Sequence, residues 1–304
     1  MYNTIMNGNE INNIIKNLSE SELDYLFNQK SKDTRFKYIG KGMQGIVYKL
    51  ENYAIKIIKN DKKVLKEFKI IKLLANHNLT NFVKFYLVHE TDKYVIYVMQ
   101  FIKYTLGDWW YESDYTLCEF LEMMMQLLIT IYIMNHELKF YHNDLKFNNI
   151  MVDELKKPIE LIYIIKNKKY IIKSKYVFYI IDFGESGFTP NNGRLINDSE
   201  FISTIYKKII INHLGNNYLK FILQTDKFKE IYNSYVKKYK NSHIVKKLSL
   251  SYAIDNNLLD TQVEKEIDKI PFEILHLIGS YDKDKNNPIK NIDLTFEIYK
   301  KYKC

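Results

Sequence analysis

Cysteine, proline and glycine are scarce in this 304-residue chain, with two Cys, four Pro and ten Gly. Cys118 and Cys304 are too few for a disulfide framework, and no zinc-ligand spacing surrounds them, which favours a reducing compartment. So little Pro and Gly argues against a long flexible linker. The N-terminal MYNTIMNGNE lacks a basic segment followed by an apolar one, so no signal peptide is expected. No run reads as long and apolar enough to cross a membrane, and no internal repeat or long low-complexity tract stands out. Hydrophobic residues are plentiful at 46%, enough for a sizeable core in one large domain or two lobes.

Lys, Asn, Ile and Tyr are also abundant, all residues with AT-rich codons, and the formal charge is +9. Lysines cluster at Lys156-Lys157, Lys166 to Lys169, Lys207-Lys208 and Lys237-Lys238-Lys240. The plain interpretation is solvated faces of helices and hairpins. The sharper one is attraction to nucleic acid, acidic lipid or an acidic substrate, although no nucleic-acid-binding module accompanies the charge.

Ser19-Glu-Ser-Glu22 spells a capping box that opens a short helix through Leu26 and Phe27, within an N-terminal helical extension over residues 1–34. From Arg35 the texture is β-rich. Strands are predicted over Phe36 to Gly40, Ile46 to Leu50 and Tyr53 to Ile58, then over Phe82 to Val88 and Tyr94 to Phe101 as a pair. Between them Asp61 to Ala75 has helical spacing at Val64, Leu65, Phe68, Ile71 and Leu73 or Leu74. Leu117 to Phe140 is hydrophobic nearly all round and predicts a buried helix. Pro158 to Ile181 predicts a hairpin around Lys166, and helical patterns dominate after Asp198.

Chemistry concentrates at His142-Asn-Asp-Leu-Lys-Phe-Asn-Asn149 and, downstream, Asp182-Phe-Gly184. Phosphoryl transfer from ATP needs a carboxylate to orient a hydroxyl, a Lys near the transferred group, and hard oxygen ligands for magnesium. Asp144 suits the first role, Lys146 the second, and Asn149 with Asp182 the third. His142 suits a structural role, packing near Phe183 and hydrogen-bonding the backbone. Gly40-Lys-Gly42-Met-Gln-Gly45-Ile-Val47 fits G-x-G-x-x-G-x-V, with strand-like sequence on both sides, so it predicts a hairpin lid and not a Rossmann turn. Lys56, on the next strand in Ala54-Ile55-Lys56, is costly to bury unless paired. Glu67 on the following helix is its expected partner, aiming the ammonium at phosphates.

In this order the motifs resemble the eukaryotic-type protein kinase superfamily, from about Tyr38 to Tyr206. The resemblance implies a bilobal α+β fold with a small β-rich lobe over residues 35–102. A larger, mainly helical lobe would cover residues 103–304, with an insert at about 154–177. It implies ATP with Mg2+ or Mn2+ as cofactors and a protein substrate. Met99 would be the gatekeeper of a hinge, Val98-Met99-Gln100-Phe101-Ile102. Backbone groups of Gln100 and Ile102 would meet adenine, with Val47 and Ala54 against its faces. Lys146 at its position resembles serine/threonine kinases.

Three departures stand out. Asn143 replaces the usual Arg before Asp144, which puts activation by loop phosphorylation in doubt. The interval from Asn149 to Asp182 is long, as in some large-DNA-virus, poxvirus-like kinases, implying a host-cytoplasmic or virion location. No A-P-E follows Asp182, and Asp198-Ser-Glu-Phe-Ile already reads as the start of a central helix. Thr189 and Ser186 are candidate autophosphorylation sites, or turn residues, in a tight loop with Pro190 and Gly193. Competing classes are a small-molecule phosphotransferase and a pseudokinase scaffold; a fourth reading is nucleic-acid binding by the basic insert.

Overall fold

The computed structural model describes residues 8–42, 45–61, 64–77, 79–112, 115–189, 198, 200–202, 204–205 and 287–302. One compact unit runs from the N-terminus to Asp198 and a second from Ser199 to Lys303. Met43, Gln44, Pro190, Gly193 and the lysines at 207–208 and 237–240 lie outside the described residues. The architecture of the first unit is α+β, a β-sheet region followed by a buried helix and a long hairpin.

The chain opens with α1 (Gly8–Lys16) and α2 (Glu20–Phe27). The capping box is formed: the Ser19 hydroxyl accepts from Glu22 N and the Glu22 carboxylate accepts from Ser19 N at 2.7 Å. Sequence reading found α2 but not α1, whose Ile11 and Ile15 at i and i+4 are fully buried. The two helices do not stand apart as an extension. With Leu23 and Leu26 they close the core on one face of a five-stranded sheet, against Ile46, Tyr48, Ile55, Ile57, Ile96 and Val98. The Tyr48 hydroxyl donates to the Leu26 carbonyl at 2.6 Å, and Tyr94 donates to Asp24 at 2.6 Å.

That sheet contains β1 (Lys37–Lys41), β2 (Gly45–Leu50), β3 (Tyr53–Lys59), β4 (Phe85–Glu90) and β5 (Tyr94–Gln100). Its order is β1-β2-β3-β5-β4, with antiparallel neighbours. The strand expected from Phe82 starts only at Phe85; Phe82 instead makes a single parallel bridge to Ile180. Between β3 and β4 lies α3 (Val64–His77). Its buried stripe is Glu67, Ile70, Ile71 and Leu74, the i, i+3, i+4, i+7 pattern, so Glu67 occupies a core position and Phe68 is only half-buried.

After β6 (Tyr104–Thr105) and α4 (Leu106–Glu112), helix α5 (Leu117–Tyr132) continues as a π-turn over Ile133–Glu137. The helix thus ends before Phe140. Every residue from Phe120 to Tyr132 is buried. Contrary to the sequence expectation, the 21-residue helix Leu117–Glu137 is long and apolar enough to cross a membrane, with mean hydropathy 1.6 over its most apolar 18 residues. Seventy-eight per cent of that 18-residue stretch is buried inside the protein, as befits a core helix.

The hairpin β7 (Ile150–Ile165) and β8 (Lys168–Ile180) is longer than the sequence implied, because its ladder starts directly after the Asn149 loop. It tolerates Pro158 by breaking register between Glu154 and Ile159. Lys166 and Asn167 both take left-handed φ, 45° and 67°, as a two-residue turn of this hand requires. In the second unit, α6 (Pro288–Lys301) is capped by the Asn287 side chain, has Pro in its first turn, and ends in Lys300-Lys301.

Helix α5 meets the hairpin through Glu122, buried and accepting from Ser174 Oγ at 2.6 Å. Burial pushes its carboxyl from the ordinary 4.5 up to about 7, against that hydrogen bond. The unfolded chain ionises this Glu near pH 4.5 and the folded chain resists until about 7, so stability falls across that window as pH rises. Glu122→Gln keeps an acceptor for Ser174 and is expected to abolish about 3 kcal/mol of this decline. Urea unfolding at pH 4.5 and pH 8 measures it; an unchanged decline would refute the assignment.

Candidate functional site

Side chains alternate along a strand, so cross-strand partners share a face. Val47 pairs with Lys56, Lys56 with Tyr97, and Ala54 with Met99, which puts Val47, Ala54, Lys56 and Met99 on the face opposite α1 and α2. The β1–β2 connection closes as a hairpin through Gly42 N to Gly45 O at 2.9 Å. The three glycines differ. A Cβ at Gly40 would meet nothing within 4 Å, and one at Gly42 only the Gly45 carbonyl at 3.9 Å. At Gly45 it would strike Ile58 Cγ2 at 2.3 Å and the Ile57 carbonyl at 2.5 Å. Gly40 and Gly42 leave space for a ligand, whereas Gly45 is demanded by the neighbouring strand as well.

Lys56 Nζ lies 2.8 Å from Glu67 Oε1 and 2.7 Å from Asp182 Oδ1. Burial alone would depress the ammonium; the two carboxylates outweigh it and raise its pKa. Asp182 shows the reciprocal balance: burial works to raise it, and Lys56, by charge and hydrogen bond, holds it below the usual carboxylate range. Asp182 takes φ 63°, ψ 72°, a left-handed conformation uncommon for a residue with a side chain. The turn after it, Phe183–Glu185, packs on α3.

The loop from His142 to Asn149 is held from both sides. His142 is fully buried and its Nε2 stands 2.8 Å from the Ile181 carbonyl. Asp144 N lies 3.3 Å from Nδ1, so Nε2 carries the proton and the ring is neutral. Burial lowers its pKa in the same direction. Its ring packs 5.4 Å from Phe183. Asp144 Oδ2 accepts from Lys146 Nζ at 2.6 Å and from Asn149 Nδ2 at 3.0 Å; Asn149 Nδ2 also donates to the Asp144 carbonyl at 2.8 Å. With its amide nitrogen committed, Asn149 has its Oδ1 to offer a cation.

Gln100 N donates to the Lys84 carbonyl at 2.9 Å, so hydrogen bonding of a base at Gln100 falls to its carbonyl. Ile102 follows at the same edge, buried.

Two contributors escaped sequence reading. Asp198 is helical as expected, and in addition its carboxylate accepts from His142 N at 3.0 Å and Asn143 N at 3.1 Å. Burial pushes this carboxyl up, against those donors. Tyr97, beside Lys56 in the sheet, is fully buried with an unpartnered hydroxyl; burial and then the Glu67 charge push its phenol up. Its only sequence signal is its register with Lys56.

Asn143, at φ 63°, donates through Nδ2 to the carbonyls of Glu185 and Thr189, both at 3.4 Å. Tyr141 and Gly187 exchange backbone hydrogen bonds at 2.8 and 3.0 Å. Ser186 is buried and donates to the His142 carbonyl at 3.2 Å, which removes it as an accessible modification site, whereas Thr189 is exposed.

Among the described residues no group of three His, Cys, Asp or Glu could hold a metal. One carboxylate and one amide oxygen nevertheless suit magnesium, which takes few protein ligands and completes its shell with phosphate and water.

A family model described as protein kinase domain matches residues 34–207. An uncharacterized protein, 179R, from Invertebrate iridescent virus 6 is 38% identical over 66 residues, 22% of this chain. The match spans 6% of that relative's length.

Proposed function

The chain belongs to the protein kinase family, and from that premise we propose that it is an active ATP- and magnesium-dependent serine/threonine protein kinase with residues 35–102 as its small lobe and 103–304 as its large one. The observation that carries the reading is Lys56 bridging Glu67 and Asp182 at once. Phosphoryl transfer in this family needs both the Lys–Glu pair and the metal-binding Asp in place.

In this reading adenine sits on the Val47, Ala54 and Met99 face and meets the Gln100 carbonyl and Ile102 backbone. Lys56 holds phosphate oxygens, and Asn149 with Asp182 would hold magnesium, which supplies charge neutralisation at the transferred group. Asp144 orients the acceptor hydroxyl, itself fixed by Lys146 and Asn149. Lys146 is in place to stabilise charge on the γ-phosphoryl. Asn143 grips the segment after Asp182 through two carbonyls, so its order does not depend on a phosphate-reading Arg.

Nucleic-acid binding by the basic hairpin is less favoured. A single-strand platform needs exposed aromatic faces, and Tyr163 and Tyr170 point inward.

The test compares wild type with Asp144→Asn on a cell lysate supplied with radiolabelled ATP and Mg2+, followed by phosphoamino-acid analysis. Phosphoserine and phosphothreonine, lost in Asp144→Asn by about 10²-fold or more, are the expected products. Labelling only of small alcohols or aminoglycosides would instead identify a small-molecule phosphotransferase. ATP-induced thermal stabilisation without turnover would identify a scaffold.

A further inference from the structure

The long hairpin that separates Asn149 from Asp182 reaches the loop that follows α3. The Tyr163 hydroxyl donates to Asn81 Oδ1 at 2.7 Å. Asn81 Nδ2 donates onward to Gln126 Oε1 at 2.9 Å and to the Phe178 carbonyl at 2.8 Å. Gln126 Oε1 also accepts from Phe178 N at 3.1 Å, and its Nε2 donates to the Tyr176 carbonyl at 2.9 Å. Asn81, Gln126 and Tyr163 are all buried. Every polar atom of the Asn81 side chain is engaged, so the network holds one arrangement and tolerates no missing member.

Asn81 is poised to transmit that arrangement. It follows α3, the helix that carries Glu67. Its carbonyl accepts from Ile180 N at 2.9 Å, two residues before Asp182. Its neighbour Phe82 packs against Phe183 at 6.2 Å, and α3 packs on the Phe183–Glu185 turn. The network therefore touches both elements that bring carboxylates to Lys56.

We propose that Tyr163 is a positioning residue for phosphoryl transfer: through Asn81 the hairpin clamps α3 and the Phe183 turn, keeping Glu67 and Asp182 on Lys56. The hairpin thereby does, from within the chain, what a loop phosphate read by Arg would otherwise do. The inference rests on the kinase reading. Tyr163→Phe removes one donor and leaves Asn81 Oδ1 buried and unsatisfied, without changing the shape of the core.

The test uses the full chain with two readouts. In hydrogen exchange, Tyr163→Phe should speed the amides of α3 by about tenfold, the worth of one buried hydrogen bond, and leave β2 and β3 unchanged. In transfer of label from ATP to casein, it should lower kcat about tenfold with KM for ATP changed less than about twofold. In a Glu67→Gln background the same substitution should cost about threefold and not about tenfold, because one of the two carboxylates it positions is gone and only Asp182 is left to displace. Unchanged α3 exchange, or an equal kcat loss in both backgrounds, would overturn the proposal. Faster α3 exchange with no transfer by wild type would overturn the kinase reading instead and leave the hairpin-to-α3 linkage standing.

Discussion

Asp182→Ala is expected to abolish phosphoryl transfer, by about 10³-fold or more, while the protein remains folded. Its partner Lys56 keeps Glu67 when the carboxylate is removed. No buried charge is orphaned by the change, which is the usual source of collapse when an ion pair is broken. The left-handed backbone at Asp182 is kept in place by the Ile181 and Phe183 contacts on either side. Ala is less at ease there than Asp, so a loss of roughly 1 kcal/mol is expected. Asp182→Asn tolerates the conformation better and should be as inactive with a smaller shift in melting. Label transfer together with thermal melting checks both variants. Transfer at the wild-type rate by either folded variant would remove Asp182 from the mechanism.

The largest expected loss of stability is at Gly45. A methyl group there would overlap Ile58 Cγ2 and, more seriously, the Ile57 carbonyl, which belongs to the paired strand and cannot rotate away. Gly45→Ala should cost about 2–4 kcal/mol, within the range of overpacked cores and backbone clashes. Gly40→Ala, whose Cβ enters open space, should stay within about 0.5 kcal/mol of wild type and act on KM for ATP. Chemical denaturation of both variants distinguishes them. Equal stability of Gly45→Ala and Gly40→Ala would show that the loop glycines share one role, as their common motif implies.

Much of the fold could be read from local patterns. The β-branched runs at Ile46 to Leu50 and Tyr53 to Ile58 give β2 and β3 to within a residue: β2 alternates between buried and half-buried positions, and β3 is buried on both faces apart from Tyr53, Lys56 and Lys59. The capping box announced α2, since both of its hydrogen bonds are made within four residues. Helix α1 was not legible, because three isoleucines among polar residues mean little until a sheet face exists to cover them. The hairpin's true start was hidden by Pro158, which interrupts the pattern that the ladder bridges with a register shift. Phe82 looked like a strand residue and instead docks on Ile180 and Phe183.

The sequence by itself determined the chemical inventory: the spacing of Asp144, Lys146 and Asn149, the Asp182-Phe-Gly turn, the Gly-rich hairpin and the strand Lys. These depend on residue type and short intervals, which folding cannot alter. Only the tertiary structure decided what each residue is held by. Lys56 meets Glu67, the partner its sequence neighbourhood already implied, and also Asp182, across 126 positions of chain. Asp198 caps the His142 loop across 56, and Tyr163 reaches Asn81 across 82. Such contacts leave no trace in local periodicity. They are set by how the sheet, α3, α5 and the hairpin pack, and burial then makes each hydrogen bond costly to lose.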